Sequence, residues 1–290
     1  MSKDVMRLLS WNIQWGRGID GRVDLGRIAR EIGACDPDVI CLQEVAVNHP
    51  GLPGGAAGSQ PEILARQFPG YEAIYAAGSD LPDGRGGRRQ FGELILSRLP
   101  LLQVFRHQLP WPADPGVPSM QRVAVEAVVD APVGPLRVLT THLEFYSQSQ
   151  RRVQIEALRS IHAEGWRHAQ RPRSAAETDP PFAVLPRGEF TVLCGDFNCP
   201  AGAAEYFRLQ QPCDGEFAAA PSLVDAWSLA YPGVPNAPTV GLSPAPWLAA
   251  PACYDFFFVS GNLAGRVREV VVDAESIASD HQSIRLDISI

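Results

Sequence analysis

Short apolar runs, each closing on a polar residue, recur along the chain. Leu8-Leu9-Ser10-Trp11-Asn12 closes on an amide, and Val39-Ile40-Cys41-Leu42-Gln43-Glu44 on an acid. Val138-Leu139-Thr140-Thr141-His142 closes on an imidazole, while Val192-Leu193-Cys194-Gly195-Asp196-Phe197-Asn198 delivers a carboxylate and a carboxamide two residues apart. Runs this short, with no helical period, predict buried strands. Helical spacing appears between them. Asp24 is placed to cap a helix with Leu25, Ile28, Ala29 and Ile32 along one face, and Pro61 to open another through Ile63, Leu64 and Phe68. Val153, Ala157, Leu158 and Ile161 share the same period and predict a helix from about Gln148 to Glu164 that covers a sheet face.

Glu93 to Ser97 and Arg122 to Val128 read as further strands with no long helix between them. Strands in direct succession pair antiparallel, so the sheets are expected to be mixed. Ser283 to Ile290 alternates polar and apolar positions and predicts a half-buried last strand. The stretches from His49 to Pro61, Gly78 to Gln90, Leu109 to Gln121, Gln170 to Gly188 and Pro232 to Cys253 are rich in Pro and Gly and read as long loops. No internal repeat or linker interrupts this order. Polar residues of interest run from Asn12 to His281, so one domain over residues 1–290 is expected.

Strands that each present a polar group at one end describe a site on the rim of a sheet. Alone, Asp196 and Asn198 are as readily the residues of a turn, because both side chains bond nearby backbone. Repetition of the layout, with Ser279-Asp280-His281 just before the last strand, changes that balance.

Composition sets the bounds. The chain has 290 residues, 46% hydrophobic and 20% charged, with a net charge of −7. The acidity argues against coating nucleic acid by bulk electrostatics, yet leaves room for a nuclease whose acids collect a cation. Six cysteines with no Cys-x-x-Cys spacing argue against zinc and against a disulfide framework. The first residues lack the apolar core of a secretion signal and no apolar run reaches membrane-spanning length, so a cytoplasmic location is expected; the expected oligomeric state is a monomer.

Glu44, Asn12 and Asp280 offer hard oxygen ligands, the kind that Mg²⁺ or Mn²⁺ takes together with a substrate phosphate. His142 and His281 are candidates to hold phosphoryl oxygens, and Asp196 to deprotonate or orient a water that Asn198 directs. Asp255 interrupts the aromatic strand Tyr254-Asp255-Phe256-Phe257-Phe258-Val259, and a lone carboxylate there needs a partner, for which His281 is the natural candidate.

Taken together, these residues resemble the endonuclease/exonuclease/phosphatase superfamily, which includes deoxyribonuclease I and exonuclease III-like nucleases. The matching pieces are Ser10-Trp11-Asn12, Leu42-Gln43-Glu44, Leu96-Ser97-Arg98-Leu99-Pro100, Thr141-His142-Leu143, Gly195-Asp196-Phe197-Asn198, Tyr254-Asp255-Phe256 and Ser279-Asp280-His281, in family order over essentially the whole chain. Each piece is weak alone; the set is highly specific. The resemblance implies a four-layer α/β sandwich, two mixed β-sheets packed face to face with helices outside, and a divalent-metal phosphoesterase site at one rim. It carries metal ligation to Glu44 with Asn12 and Asp280 close by, phosphate contact to His142, water activation to Asp196 and Asn198, and an Asp–His pair to Asp255 and His281. Arg151 and Gln154 match a common pattern after Thr-His-Leu and read as structural. Glu93 stands where many members carry a small or amide residue.

The bland readings are a solvated loop for Arg85, Arg88 and Arg89, loop anchoring for Trp111 and Trp247, and surface or packing roles for His49, His107, His162 and His168. The expected function is a Mg²⁺- or Mn²⁺-dependent hydrolase acting on a phosphodiester or phosphomonoester, with a nucleic acid or a small-molecule or lipid phosphodiester as substrate. The competing class is a catalytically silent binding or regulatory module on the same fold.

Overall fold

A computed structural model of the chain describes residues 5–170, 186–243 and 248–290. Strand periodicity explains its layers. In β1 (Val5–Asn12), Met6 and Leu8 point into one apolar cluster and Leu9 and Trp11 into another; β2 (Val39–His49) parts Val39 and Cys41 from Ile40 and Leu42 in the same way. Alternate side chains leave opposite faces of a strand, and both faces here are covered. That is why these segments read as unbroken apolar runs.

β1 and β2 run parallel, joined by helix α1 (Leu25–Cys35). Around them lie β3 (Ala56–Ser59), β4 (Glu72–Pro82), β5 (Arg88–Ser97), β12 (Val267–Val272) and β13 (Ile284–Ser289), giving a seven-stranded sheet in the order β12-β13-β1-β2-β5-β4 with β3 beside β2. The second sheet has six strands, β6 (Leu101–Gln108), β7 (Val123–Ala131), β8 (Gly134–His142), β9 (Phe190–Asp196), β10 (Leu223–Asp225) and β11 (Asp255–Ser260), in the order β10-β11-β9-β8-β7-β6. Its parallel pair is β8–β9, joined through helix α3 (Gln148–Ala169). Every other pairing is antiparallel, so both sheets are mixed.

Leu8, Val39 and Ile95 pack between the sheets with Val125, Val138 and Val192. On the outer face of the first sheet, Ile28 and Ile32 of α1 and Leu64 of α2 (Gln60–Gln67) bury Leu9, Ile40 and Leu96. On the outer face of the second, Ile155 and Leu158 of α3 and Leu209 of α4 (Ala204–Gln210) bury Leu139, Leu193 and Phe258. This is the four-layer α/β sandwich. Two edge strands are tied across the sheets: Arg106 Nε and Gln108 Nε2 of β6 donate to the carbonyls of Tyr75 and Ala77 in β4, at 2.9 and 3.0 Å.

Each of α1, α2 and α3 starts on a capping side chain: Asp24, Ser59 and Ser147 accept from the backbone N–H three residues on. Asp24→Ala is expected to cost about 1 kcal/mol of stability. Urea unfolding reads this directly, and an unchanged midpoint would mean that packing alone holds the start of α1.

Four expectations are corrected. The stretch from Gly78 to Gln90 is largely a β-hairpin, with only residues 83–87 outside β4 and β5, and β3 lies inside the stretch from His49 to Pro61. The strand carrying Glu44 continues to His49 instead of closing there. Helix α3 runs on to Ala169, and its buried face is Gln150, Gln154, Ile155, Leu158 and His162, whereas Val153 is exposed. Its polar members bond backbone: Gln150 Nε2 donates to the Pro112 carbonyl at 2.7 Å and Gln154 Oε1 accepts from Glu144 N at 2.9 Å. Counting apolar residues therefore misplaces the face. His162 is a packing residue within the core, its Nε2 bonded to the Pro221 carbonyl at 2.7 Å. All six cysteines are free. Among the described residues no helix is long and apolar enough to cross a membrane. Trp247 and residues 171–185, most of the stretch from Gln170 to Gly188 expected to be a loop, lie outside the described residues.

Candidate active site

Strand direction gathers the polar ends. β8 and β9 are parallel and finish together, and β11 runs antiparallel from the same rim, so His142, Asp196 and Asp255 stand on one rung, each paired to the next. Gly195 permits that rung: its φ is +133°, and a Cβ there would lie 1.9 Å from the Thr141 carbonyl oxygen. β1 ends at the same rim of the other sheet with Asn12. Glu44 arrives by a different device. The register of β2 against β5 shifts between Leu42 and Val45, and Glu44 has φ +59°, so a bulge turns its side chain toward the rim from mid-strand.

Asn12 bridges the two halves. Its Nδ2 donates to Glu44 Oε1 at 3.1 Å and to Asp196 Oδ2 at 3.0 Å. Its Oδ1 accepts from Gln14 N at 3.1 Å and keeps a second lone pair. Asp196 is fully buried, with Oδ1 accepting from Asn198 N at 2.8 Å. Burial pushes the Asp196 carboxyl up to about 6, with the nearby His281 charge pulling the other way.

Asn198 Nδ2 donates to His142 Nε2 and to the Leu143 carbonyl, both at 2.8 Å. Since that nitrogen only donates, His142 Nε2 is an acceptor and its proton sits on Nδ1, 3.8 Å from Glu44 Oε1. Burial, reinforced by the positive charge of Arg122, holds His142 neutral, well below the ordinary histidine range. His281 is its opposite. Burial works against a charged ring there, but the Asp255 and Asp196 carboxylates outweigh it and lift the imidazole well above its usual range. His281 Nδ1 lies 2.9 Å from Asp255 Oδ2, and its Nε2 faces Asp196 Oδ2 at 3.6 Å. Two imidazoles at one rim thus have opposite protonation, the arrangement expected where acid and base tasks are divided.

Two groupings could hold a cation. Asp196, Asp255 and His281 bring ligand atoms within 4.8 Å of one another, but there the imidazolium already balances the carboxylates. Asp255 Oδ2 is also occupied by Thr239 Oγ1 at 2.6 Å as well as by His281, which suits it to orienting the ring. The other grouping is Glu44, Asn12 and Asp280. Burial and then the Asp280 charge push the Glu44 carboxyl up to about 7, a crowding of oxygens that a divalent cation would relieve. All the eight residues singled out from the sequence reach this rim.

Sequence reasoning missed two members. Gln14 Nε2 donates to Asp280 Oδ2 at 2.6 Å, and Thr239 Oγ1 accepts from Asp255 N at 3.1 Å while donating to its carboxylate. Gln14 could have been suspected from its place two residues after Asn12; Thr239 carries no signal, because the loop that returns it to Asp255 is recognisable only from the backbone bridges of Val240 to Ala252 and His281. Arg151 donates to the Glu144 and Phe145 carbonyls, at 2.7 and 3.1 Å, and so fastens the loop after β8. Glu93 is buried behind the site; burial pushes its carboxyl well up against a hydrogen bond from the His142 backbone, and among the described residues its Oε2 has no hydrogen-bond partner. Arg88 is paired with Asp80 at 2.7 Å, and Trp111 is tied to Ser119 Oγ at 2.9 Å.

The profile described as the Endonuclease/Exonuclease/phosphatase family matches residues 9–281. The chain belongs to that family. Solved structures agree on the fold. A family member from Beutenbergia cavernae is 24% identical, with a TM-score of 0.66 over 99% of this chain and 72% of that one. The mannosyl-6-phosphatase Bt3783 of Bacteroides thetaiotaomicron is 16% identical, with a TM-score of 0.64 over 98% of this chain and all (100%) of the other. D. rerio TDP2, complexed with single strand DNA product, is 18% identical, with a TM-score of 0.62 over 99% and 100% of the two chains. No curated protein sequence matches the chain. Family members are hydrolases acting on phosphoester bonds, and this chain carries the family's phosphoesterase fold.

Proposed function

We propose that this protein is a Mg²⁺- or Mn²⁺-dependent phosphoesterase, acting as a single-domain monomer, that hydrolyses a phosphodiester or phosphomonoester by in-line attack of water. The observation that carries the reading is the Asn12 amide, bonded at once to Glu44 and Asp196, which couples the oxygen-rich grouping to the buried base. Glu44 and Asp280, with the remaining lone pair of Asn12 Oδ1, would hold the cation. Bound there, it would neutralise phosphoryl charge and fix the substrate beside the base.

The chain's own groups supply the rest. Asp196 Oδ2 accepts the proton of the attacking water as the new O–P bond forms and the ester P–O bond opposite it breaks, the departing oxygen leaving with the bond's electron pair and taking a proton from solvent; the raised proton affinity of Asp196 suits that role. Asn198 has committed both amide protons, so its Oδ1 is the atom that orients the water. His281, charged and held by Asp255, donates from Nε2 to the phosphoryl oxygens as negative charge builds on them. His142, neutral, offers Nδ1–H from the other side. A silent binding module has no need of two imidazoles held in opposite protonation states.

The test is hydrolysis of single-stranded and duplex DNA, abasic DNA, RNA, sphingomyelin, inositol phosphates and bis-p-nitrophenyl phosphate, with Mg²⁺, Mn²⁺ or EDTA. Loss of turnover in EDTA is expected, and metal-independent turnover would overturn the reading. Glu44→Gln removes a ligand charge and is expected to raise the metal concentration needed for half-maximal rate by more than the roughly 10–100-fold that loss of a group merely orienting a ligand costs. An unchanged metal titration would place the cation elsewhere.

A further inference from the structure

Gln14 has a conformation that asks for a reason. It and Trp15 both take left-handed backbone angles, φ +44° and +46°, directly after β1. Neither is glycine, and such angles persist in other residues only where the surroundings over-determine them. Here they do. The Gly16 N–H donates to the Ile13 carbonyl at 2.7 Å and Arg17 N to the Gln14 carbonyl at 2.8 Å, closing the turn. The buried Gln60 side chain then locks it from behind, Nε2 donating to the Trp15 carbonyl at 2.7 Å and Oε1 accepting from Ala46 N at 2.9 Å, two residues past the Glu44 bulge.

The product of that turn is a single residue touching two of the three candidate cation ligands. Gln14 N donates to Asn12 Oδ1 and Gln14 Nε2 donates to Asp280 Oδ2, at 3.1 and 2.6 Å. The orientation of the side-chain amide is fixed at both ends, because Gln14 Oε1 faces the Arg17 guanidinium at 3.5 Å. Reversing it would set NH₂ against a cation and oxygen against a carboxylate. An amide nitrogen cannot ligate a metal, so what stands beside Asp280 on this side is a donor where a second ion would need another oxygen. Asp280 Oδ2 is already engaged by it.

We infer that Gln14 is a positioning residue that sets Asn12 and Asp280 around a single divalent ion and bars a second. This rests on the reading that Glu44, Asn12 and Asp280 bind a cation. Gln14 acts through the ligands and touches neither ion nor substrate.

Mn²⁺ binding to the purified full-length chain tests it, counted from the loss of the free-ion paramagnetic resonance signal. One ion per wild-type chain is expected. Gln14→Met keeps length and the backbone N–H but removes the side-chain donor; it is expected to weaken Mn²⁺ binding about ten-fold, in the range usual for groups that orient metal ligands. Its melting temperature in EDTA should match wild type, which a merely structural role would not allow. Gln14→Glu restores the bulk but sets a carboxylate against Asp280, and is expected to admit a second Mn²⁺. Binding by Gln14→Met as tight as wild type, two ions on the wild type, or a Gln14→Glu stoichiometry still at one would overturn the inference. Absence of Mn²⁺ binding to the wild type would instead overturn the cation reading on which it stands.

Discussion

Asp196→Asn is expected to lower kcat by about 10²–10⁴-fold with little change in melting temperature, since the substitution removes the proton acceptor and keeps the shape. The carboxamide oxygen can still accept from Asn198 N, which donates to Asp196 at 2.8 Å. The pH profile is the sharper readout. Asp196 is held up to about 6 by burial, so as pH falls through that value the base is protonated and the rate falls with it. A bound cation pulls this limb lower, placing its midpoint at or below about 6. His281 must be protonated, and it is held well above the ordinary range, so the rate declines only on the alkaline side as the ring loses its proton. A bell results, with Asp196→Asn removing the acid limb and His281→Ala the alkaline one. His281→Ala also strands a buried carboxylate, because among the described residues the Asp255 side chain then keeps only Thr239. Adding Asp255→Asn to it should recover stability and leave the rate low. A near-normal kcat in Asp196→Asn or in His281→Ala would sink the role assignment.

The same site shows what a sequence can and cannot disclose. His142 and Asp196 were legible because parallel strands β8 and β9 must end on one rim, and their pattern ends there. Asn12 was legible because the apolar run of β1 stops there. Glu44 was legible as a residue but not as a structure: the run Val39 to Glu44 looks like a strand that stops, whereas a bulge lets β2 continue to His49. A bulge leaves no mark on apolar periodicity. The strand β4 was missed because its inward residues are Ile74 and Ala76, too small a stripe to stand out, and its far end runs into a Gly-rich hairpin. Helix α3 was found, yet turned wrongly, because its glutamines bond loop backbone inside the protein, Gln150 at the Pro112 carbonyl and Gln154 at the Glu144 N–H, and are polar for that reason. Thr239 was beyond reach. It sits in a Pro-rich loop sixteen residues before Asp255, and only the folded backbone returns it.

The largest effect on stability is expected away from the site, at Glu126. This β7 carboxylate has no exposed surface, and its Oε1 accepts from Arg137 Nε at 2.8 Å, itself wholly buried, and faces Arg187 at 3.2 Å. His107 Nε2 closes the other oxygen at 2.8 Å. Arg137 also donates to the Ile161 and His162 carbonyls of α3, where Gly165 leaves the room: a Cβ there would lie 2.0 Å from the guanidinium carbon. Glu126→Gln leaves those guanidinium charges uncompensated and is expected to cost about 3–5 kcal/mol, a melting-temperature drop on the order of 10 °C. Replacing Glu126 and Arg137 together by Leu and Met should cost far less, since a buried pair is hard to break and easy to replace. The acid side gives an independent check. Burial alone would raise the Glu126 carboxyl, but the His107 hydrogen bond and the Arg137 charge outweigh it and hold it at about 2. A depressed carboxyl contributes stability that is complete above its unfolded value of 4.5 and is lost as pH falls toward about 2, a loss of about 3 kcal/mol. His162, kept neutral by burial down to about 4, loses its contribution earlier, as pH falls from 6.5 to about 4. Wild type should therefore weaken first through His162 and then, below 4.5, through Glu126 together with other lowered carboxyls such as Asp114 and Glu156, and Glu126→Gln should keep the first loss and show a smaller second one. A variant whose loss below 4.5 is as large as that of wild type would place the acid-sensitive charge at a residue other than Glu126.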